Sequence, residues 1–160
     1  MNQIAIVVLA AGNAKRIGQP KQLLPWGDST LLGSTVKTTL SAAAYKVFVI
    51  LGAYSDEIRE KVDLSGTVVL INENWQQGLG SSIALAIAEI EEKYSDVDAV
   101  LFTLADQPFI SNIHLNTIIN LHLKEQQAII ITRNEQYGGV PVLFPRKLFP
   151  ELMLLSNDEG

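Results

Sequence analysis

The sequence contains no cysteine, so disulfide bonds and thiolate metal sites are both excluded. It has no apolar run that approaches the roughly 18 residues of a membrane-spanning helix. Its N-terminus shows no cationic segment ahead of an apolar one and no cleavage signal. We therefore expect a cytoplasmic protein that has no membrane partner.

Charge is also scarce, because charged residues make up 18% of the chain and the formal net charge is -5. A chain with this balance does not favour broad electrostatic capture of nucleic acid, so no nucleic-acid partner is expected. Hydrophobic residues make up 48%, which excludes a disordered chain and fits an α/β protein with buried strands. The length of 160 residues suits a single domain, residues 1–160.

Strand-like and helix-like segments alternate along most of the chain. Strands are predicted at residues 4–9, 46–51, 67–71, 99–104, 128–132 and 141–144, and helices at about 30–44, 55–62, 81–93, 112–124 and 146–155. Right-handed crossovers then predict a three-layer α/β/α, Rossmann-like, mainly parallel sheet. Ligands of such sheets lie beyond the carboxyl ends of the strands. We therefore expect three loops to converge there, at residues 10–21, 72–82 and 104–110.

The loop after the first strand carries two glycines, a proline and three cations. Small side chains let backbone N–H groups approach phosphate oxygens. The cations Lys15, Arg16 and Lys21 can neutralise phosphate charge. An ordinary connection with solvated cations would have the same composition, and the spacing alone leaves both interpretations open.

Asp106 follows the apolar run 99–104, at the predicted functional end of a central strand. A carboxylate at this place can hold Mg²⁺, which prefers oxygen ligands and phosphate partners. We favour this role over an aspartate that only caps the next loop.

A second glycine-containing stretch, residues 78–82, enters a predicted helix. Its backbone and the Ser82 hydroxyl can contact a base or ribose, although helix capping by Ser81 or Ser82 is the better interpretation from spacing alone. His114 and His122 share another helix without a surrounding carboxylate cluster, and we predict that they are surface or packing residues. Trp26 and Trp75 are expected to pack, with stacking on a ligand as the alternative.

Four stretches occur in a familiar order. They are Leu9-Ala10-Ala11-Gly12 with Arg16, Gly18 and Pro20-Lys21; Asn74 with Gly78-Leu79-Gly80-Ser81-Ser82; Leu104-Ala105-Asp106-Gln107-Pro108; and residues 139–146 with 148–152. Together they resemble the MobA/MocA-like nucleotidyltransferases, most closely the molybdenum cofactor cytidylyltransferase branch. The sequence departs from this pattern at Ala14, where serine is usual, at Ile17, where methionine is usual, and at Val140, where many relatives have histidine.

The resemblance implies a fold of the nucleotide-diphospho-sugar transferase type and Mg²⁺-dependent transfer of CMP from CTP to a molybdopterin-type molybdenum cofactor, with release of pyrophosphate. It implies catalytic roles for Arg16, Lys21 and Asp106, and a metal site at Asp106 with Asp158 as a further acidic group. It also implies nucleotide binding by Leu9, Ala10, Ala11, Gly12, Arg16, Lys21, Asn74, Gly78 and Ser82.

The family also suggests a molybdoenzyme or its maturation chaperone as a protein partner. Two alternatives stay open at this stage: transfer to a sugar phosphate or another alcohol phosphate, and nucleotide binding without turnover. Relatives usually continue beyond the segment that residues 157–160 resemble, so we expect a domain that is truncated or naturally short.

Overall fold

The computed structural model describes residues 2–13, 18–133 and 138–157. Its strands are β1 (Gln3–Ala10), β2 (Pro25–Trp26), β3 (Ser29–Thr30), β4 (Lys46–Leu51), β5 (Val68–Ile71), β6 (Val97–Leu104), β7 (Ile130–Arg133) and β8 (Gly138–Pro145). Its helices are α1 (Leu31–Leu40), α2 (Ser55–Lys61), α3 (Leu79–Lys93), α4 (Asn112–Lys124) and α5 (Phe149–Met153). None of the helices in these described ranges is both long and apolar enough to cross a membrane.

Six of the strands form one sheet in the order β5-β4-β1-β6-β8-β7. The pairings between β5, β4, β1 and β6 are parallel, whereas β8 runs antiparallel to both β6 and β7. Strand β1 lies inside the parallel part, and both of its faces are covered. This burial explains why its sequence is an uninterrupted apolar run and does not alternate with polar residues.

Helices cover both faces of the sheet, as the predicted three-layer fold requires. Alternate residues of β1 point to opposite faces, because side chains alternate along a strand. One face carries Ile4, Ile6 and Val8 against α1, α2 and α4. The other carries Ala5, Val7 and Leu9 against α3 and α5. Each fully buried valine or isoleucine contributes about 1.5–3 kcal/mol, so β1 anchors both halves of the core.

The ends of several elements differ from their predicted positions. Helix α1 ends at Leu40 and not near residue 44, because the following backbone is taken by tertiary partners: the Ala43 N–H donates to Asn116 Oδ1 at 2.7 Å and the Tyr45 N–H to Ile4 O at 2.8 Å. The last strand begins at Gly138, earlier than predicted. The segment predicted as one helix around Pro150 is a 3₁₀ turn followed by the short α5.

Two helix caps agree with the sequence and one does not. Thr30 and Ser111 accept hydrogen bonds from backbone N–H groups in the first turns of α1 and α4. The expected capping of α3 by Ser81 or Ser82 is wrong, since the helix begins at Leu79 and Gly78 is its N-cap. Gly78 has a φ of 97°, which only glycine adopts readily. The chain turns at this residue, so that α3 can begin directly after it, at Leu79.

Candidate active site

A cavity of about 950 Å³ opens at the carboxyl ends of β1 and β6. All three loops that were expected to converge contribute to its wall. The predicted ligand residues that line it are Leu9, Ala10, Ala11, Gly12, Lys21, Gly78, Ser82 and Asp106. Asn74 is exposed and does not line the cavity. Arg16 and Asp158 lie outside the described residues.

Gln22 and Tyr54 hold the chain that leaves β1. The Gln22 amide is buried and donates to Ala10 O at 2.8 Å and to Gly12 O at 3.3 Å. The Tyr54 hydroxyl donates to Asn13 Oδ1 at 2.9 Å. These contacts fix the first turn of the loop. Sequence reasoning missed both residues, and for Gln22 the signal was a polar residue directly after Pro20-Lys21 and before an apolar pair.

Lys21 and Asp106 bring opposite charges to the mouth of the cavity. Lys21 Nζ lies 3.9 Å from Asp106 Oδ2, and the two side chains are 52% and 45% exposed. Lys21 stands on a 3₁₀ turn, and Asp106 directly follows β6. An exposed pair at this distance contributes little to stability, so both charges remain available to a charged ligand.

Among the described residues, the cavity wall offers few ligands for a divalent cation. The described part of the chain contains no group of three or more histidine, aspartate or glutamate side chains placed to hold a metal. Asp106 therefore offers one carboxylate in the cavity wall. Mg²⁺ is commonly held by one or two carboxylates together with substrate phosphates and water, rather than by a complete protein cage. The residues fit a cation that arrives with a phosphorylated substrate.

Asn72 organises the loop between β5 and α3. Its side chain is 3% exposed, and its Nδ2 donates to Ser81 Oγ and to Ser82 Oγ, each at 2.9 Å. Its Oδ1 accepts from the Asn74 N–H at 3.0 Å, and its own N–H donates to Leu51 O at 2.7 Å. Sequence reasoning did not single out Asn72. The available signal was its position, as the first polar residue after a strand at the ligand edge.

Gln107 connects the Asp106 loop to the beginning of β8. Its Nε2 donates to Val140 O at 3.1 Å. The next carbonyl, Pro141 O, accepts from the Thr132 hydroxyl at 2.7 Å. Because that hydroxyl has only one hydrogen, it must accept from His114 Nε2, which lies 2.8 Å away. His114 is thus a hydrogen-bonded packing residue, which agrees with the prediction that it is a surface or packing residue.

The segment at residues 139–152, which resembles the acceptor side of the family, runs from one edge of the sheet to the opposite edge. The Val140 carbonyl accepts from Gln107, the residue that follows the cavity residue Asp106 in the chain. Arg146 lies at the opposite edge of the sheet, where it donates to Val97 O, pairs with Glu91 at 2.7 Å and stands over the Phe149 ring at 5.4 Å. The acceptor-side interpretation is therefore restricted to the beginning of β8.

The two tryptophans have different surroundings. Trp75 lines the cavity, and its Cβ approaches Gly52. Trp26 packs edge-on against Phe109, with ring centroids 5.2 Å apart and an interplanar angle of 88°. Packing is thus the role of both rings in this structure, and Trp75 alone lies where a ligand could reach it.

Comparison with known proteins identifies relatives along nearly the whole chain. Residues 6–160 match the model of the MobA-like NTP transferase domain. Nicotine blue oxidoreductase of Paenarthrobacter nicotinovorans is 34% identical over 106 residues, which are 66% of this chain and 50% of that protein. Molybdenum cofactor cytidylyltransferase of Escherichia coli is 27% identical over 95 residues, covering 59% of this chain and 49% of that protein. The chain thus spans about half the length of these two relatives.

A probable molybdenum cofactor guanylyltransferase of Bacillus mycoides is 28% identical over 159 residues, covering 99% of this chain and 76% of that protein. Among solved structures, Rv0371c of Mycobacterium tuberculosis superimposes with a TM-score of 0.89 at 33% identity, covering 99% of this chain and 79% of that one. A structure of the same mycobacterial protein in complex with manganese has a TM-score of 0.84 at 31% identity, with the same coverage.

Proposed function

The chain belongs to the MobA-like NTP transferase domain family, and we propose that it transfers CMP from CTP to a molybdopterin-type molybdenum cofactor and releases pyrophosphate. The observation that carries the proposal is the convergence of the loop after β1, Lys21 and Asp106 around one cavity at the carboxyl edge of the sheet. This arrangement combines a backbone turn, a cation and a carboxylate where a triphosphate and its cation need them.

In the proposed reaction, a phosphate oxygen of the acceptor attacks the α-phosphorus of CTP. The bond from that phosphorus to the bridging oxygen breaks, and pyrophosphate leaves with the electron pair. A phosphate nucleophile needs no strong general base, so the protein contributes positioning and charge stabilisation. Lys21, together with Arg16, would stabilise negative charge on the triphosphate. The residues from Leu9 to Gly12 would place backbone N–H groups along it.

Asp106 would hold Mg²⁺, and Asp158 is a second acidic candidate outside the described residues. When bound, the ion neutralises charge on phosphate oxygens. The manganese complex of the mycobacterial relative supports a divalent cation in general and does not favour magnesium over manganese.

The nucleobase and the acceptor rest on the relatives and on the motif resemblance. A cytidylyltransferase and a probable guanylyltransferase match with similar identities, 27% and 28%. We favour CTP because the motifs resemble the cytidylyltransferase branch most closely. The names of these relatives also motivate the molybdopterin acceptor and delivery to a molybdoenzyme or its maturation chaperone. Because the reaction consumes a nucleoside triphosphate, we place it in the cytoplasm.

The test is pyrophosphate release by purified protein with Mg²⁺, CTP and molybdenum cofactor. Parallel reactions replace CTP by GTP, replace the cofactor by a sugar 1-phosphate, or omit the metal by adding EDTA. Release that requires CTP, the cofactor and Mg²⁺ would support the proposal. A preference for GTP would overturn the choice of base, and a preference for the sugar phosphate would overturn the acceptor. Tight CTP binding without release in any reaction would indicate a nucleotide-binding module.

A further inference from the structure

The hydrogen atoms of the Asn72 amide can be assigned from its neighbours. The backbone N–H of Asn74 can only donate, so the atom that faces it at 3.0 Å must be the amide oxygen. The amide nitrogen then faces the two serine hydroxyls, and each of its two hydrogens has an acceptor 2.9 Å away. Asn72 is buried and fully paired, so this arrangement is rigid.

The two serines differ in what their own hydrogens do. Each oxygen accepts from Asn72, so each hydroxyl hydrogen must point to a different partner. Ser81 donates to Gly78 O at 2.7 Å. Among the described residues, Ser82 has no acceptor for its hydrogen, and its buried side chain lines the cavity, which Ser81 does not. Ser82 therefore presents a hydrogen-bond donor to the cavity.

The surroundings of Ser82 favour a nucleobase over a phosphate. The charged residues among the described cavity wall are Lys21 and Asp106, and both belong to the other two loops. The loop and helix around Ser82 contribute neutral groups, Trp75 and Leu79 among them. This side of the described wall is uncharged: the Trp75 and Leu79 side chains line it together with Ser82, and Gln76 adds a neutral amide. A neutral, partly apolar wall with an oriented donor suits a planar ring that carries a carbonyl oxygen better than it suits a phosphate.

We propose that Asn72 is a positioning residue that fixes Ser82 as a donor to a carbonyl oxygen of the nucleobase. The inference rests on the proposed nucleotidyl transfer. In cytosine the matching group is the carbonyl next to the glycosidic nitrogen. The contact would select bases by the polarity of the atom that meets Ser82, since a donor on the ligand would face another donor.

The experiment measures the dissociation constants of CTP and of inorganic tripolyphosphate by titration calorimetry. Tripolyphosphate lacks a base, so the ratio of the two affinities isolates the contribution of the nucleoside. Asn72→Asp keeps the shape and the acceptor for the Asn74 N–H, but it removes both donors, so the Ser82 hydrogen turns to the new carboxylate. We expect the affinity ratio to fall about tenfold, the loss of one good hydrogen bond.

Ser82→Ala is the second variant and should lower the ratio to a similar extent without adding charge. The double variant should lose little more than either single one, because both changes remove the same contact. Ser81→Ala is the matched control: it also removes an acceptor of Asn72, yet it should change the ratio less than about twofold. Circular dichroism and thermal melting verify that each variant is folded.

An unchanged ratio in folded Asn72→Asp and Ser82→Ala would overturn the inference. An equal loss in Ser81→Ala would overturn it as well, because the loop as a whole would then be responsible. Wild-type protein that binds CTP no more tightly than tripolyphosphate would also contradict it. Failure of the proposed function has a separate readout, namely CTP binding that depends on Ser82 without any pyrophosphate release.

Discussion

Lys21 Nζ and Asp106 Oδ2 lie 3.9 Å apart although 84 residues separate them in the chain between positions 21 and 106. The distance is long for a charge-assisted hydrogen bond, and both side chains are about half exposed. The two groups are therefore close together, but neither uses up the hydrogen-bonding capacity of the other. A triphosphate with its cation could be bound between them, with the ammonium on phosphate oxygens and the carboxylate on the cation.

Removal of the Lys21 charge should reduce turnover much more than removal of the neighbouring Lys15 charge. Lys21 lines the cavity and belongs to the motif that carries the family resemblance, whereas Lys15 is not part of that motif and lies outside the described residues. We expect Lys21→Ala to lose about 100-fold in kcat/KM for CTP, as for the loss of one preorganised charge-stabilising group. Lys15→Ala serves as the matched control in a pyrophosphate-release assay. Equal losses would show that the two lysines contribute equally and that Lys21 has no special role at the triphosphate.

Asp106→Asn should have opposite effects on turnover and on metal-free binding. Without a cation, the Asp106 carboxylate repels the triphosphate, so the neutral variant should bind CTP a few-fold more tightly in EDTA. With Mg²⁺, turnover should fall about 100-fold, since the ion loses its carboxylate ligand. Calorimetry in EDTA and a Mg²⁺ titration of activity measure the two effects. Weaker CTP binding in EDTA would contradict a cation-holding role for Asp106.

The parts of this site that have local sequence signals were predictable. The apolar run of β1 predicts a strand that is covered on both faces, and Asp106 directly follows a second apolar run, in β6. Asn72, Gln22 and Gln107 were not predictable to the same degree. Each is a single polar residue in a mixed loop, and its role depends on partners up to 33 residues away that the folded chain brings near.

The same reason explains the errors in element ends. Helix propensity continues past Leu40, but tertiary acceptors take the backbone N–H groups of residues 43 and 45. Packing and long-range hydrogen bonds thus overrule local preference at the ends of elements. The ends of these elements therefore cannot be predicted from a short stretch of sequence, because they depend on residues that are distant in the chain.

Gln107→Glu should weaken acceptor binding while it leaves CTP binding nearly unchanged. The Gln107 amide donates to Val140 O, and a carboxylate there would place two acceptors against each other. The start of β8 would then move away from the Asp106 loop. We expect KM for the acceptor to rise about tenfold and KM for CTP to change less than about twofold. Gln126→Glu, at an exposed position, is the control for the added charge. A rise confined to the KM of CTP would contradict this role.

Gly52→Ala should destabilise the protein, because there is no room for a side chain at this position. A Cβ there would lie 2.7 Å from Ala11 O and 2.7 Å from Trp75 Cβ, and both neighbours line the cavity. We expect a loss of about 1–3 kcal/mol in unfolding free energy. For a domain of this size the loss corresponds to a fall of roughly 3–10 °C in Tm. Gly139→Ala is the control, since no atom lies within 4 Å of its added Cβ. Equal melting temperatures for the two variants would contradict the packing argument.

Acidification should destabilise the fold through His122. Its side chain is 2% exposed, its Nδ1 has no hydrogen-bond partner among the described residues, and burial lowers its pKa below the ordinary value of 6.5, with Asp98 opposing the shift. A lowered pKa means that the folded state binds the proton less readily than the unfolded state. The contribution to stability is therefore complete above about pH 6.5 and declines as the pH falls below it.

His122→Leu removes this titration and keeps an apolar group in the same space. Urea unfolding at pH 7.5 and at pH 5.5 gives the change in unfolding free energy for each protein. We expect the wild type to lose more stability between these pH values than the variant, since carboxylates elsewhere contribute equally to both. An equal loss in the two proteins would show that His122 is protonated as easily in the folded chain as in the unfolded one.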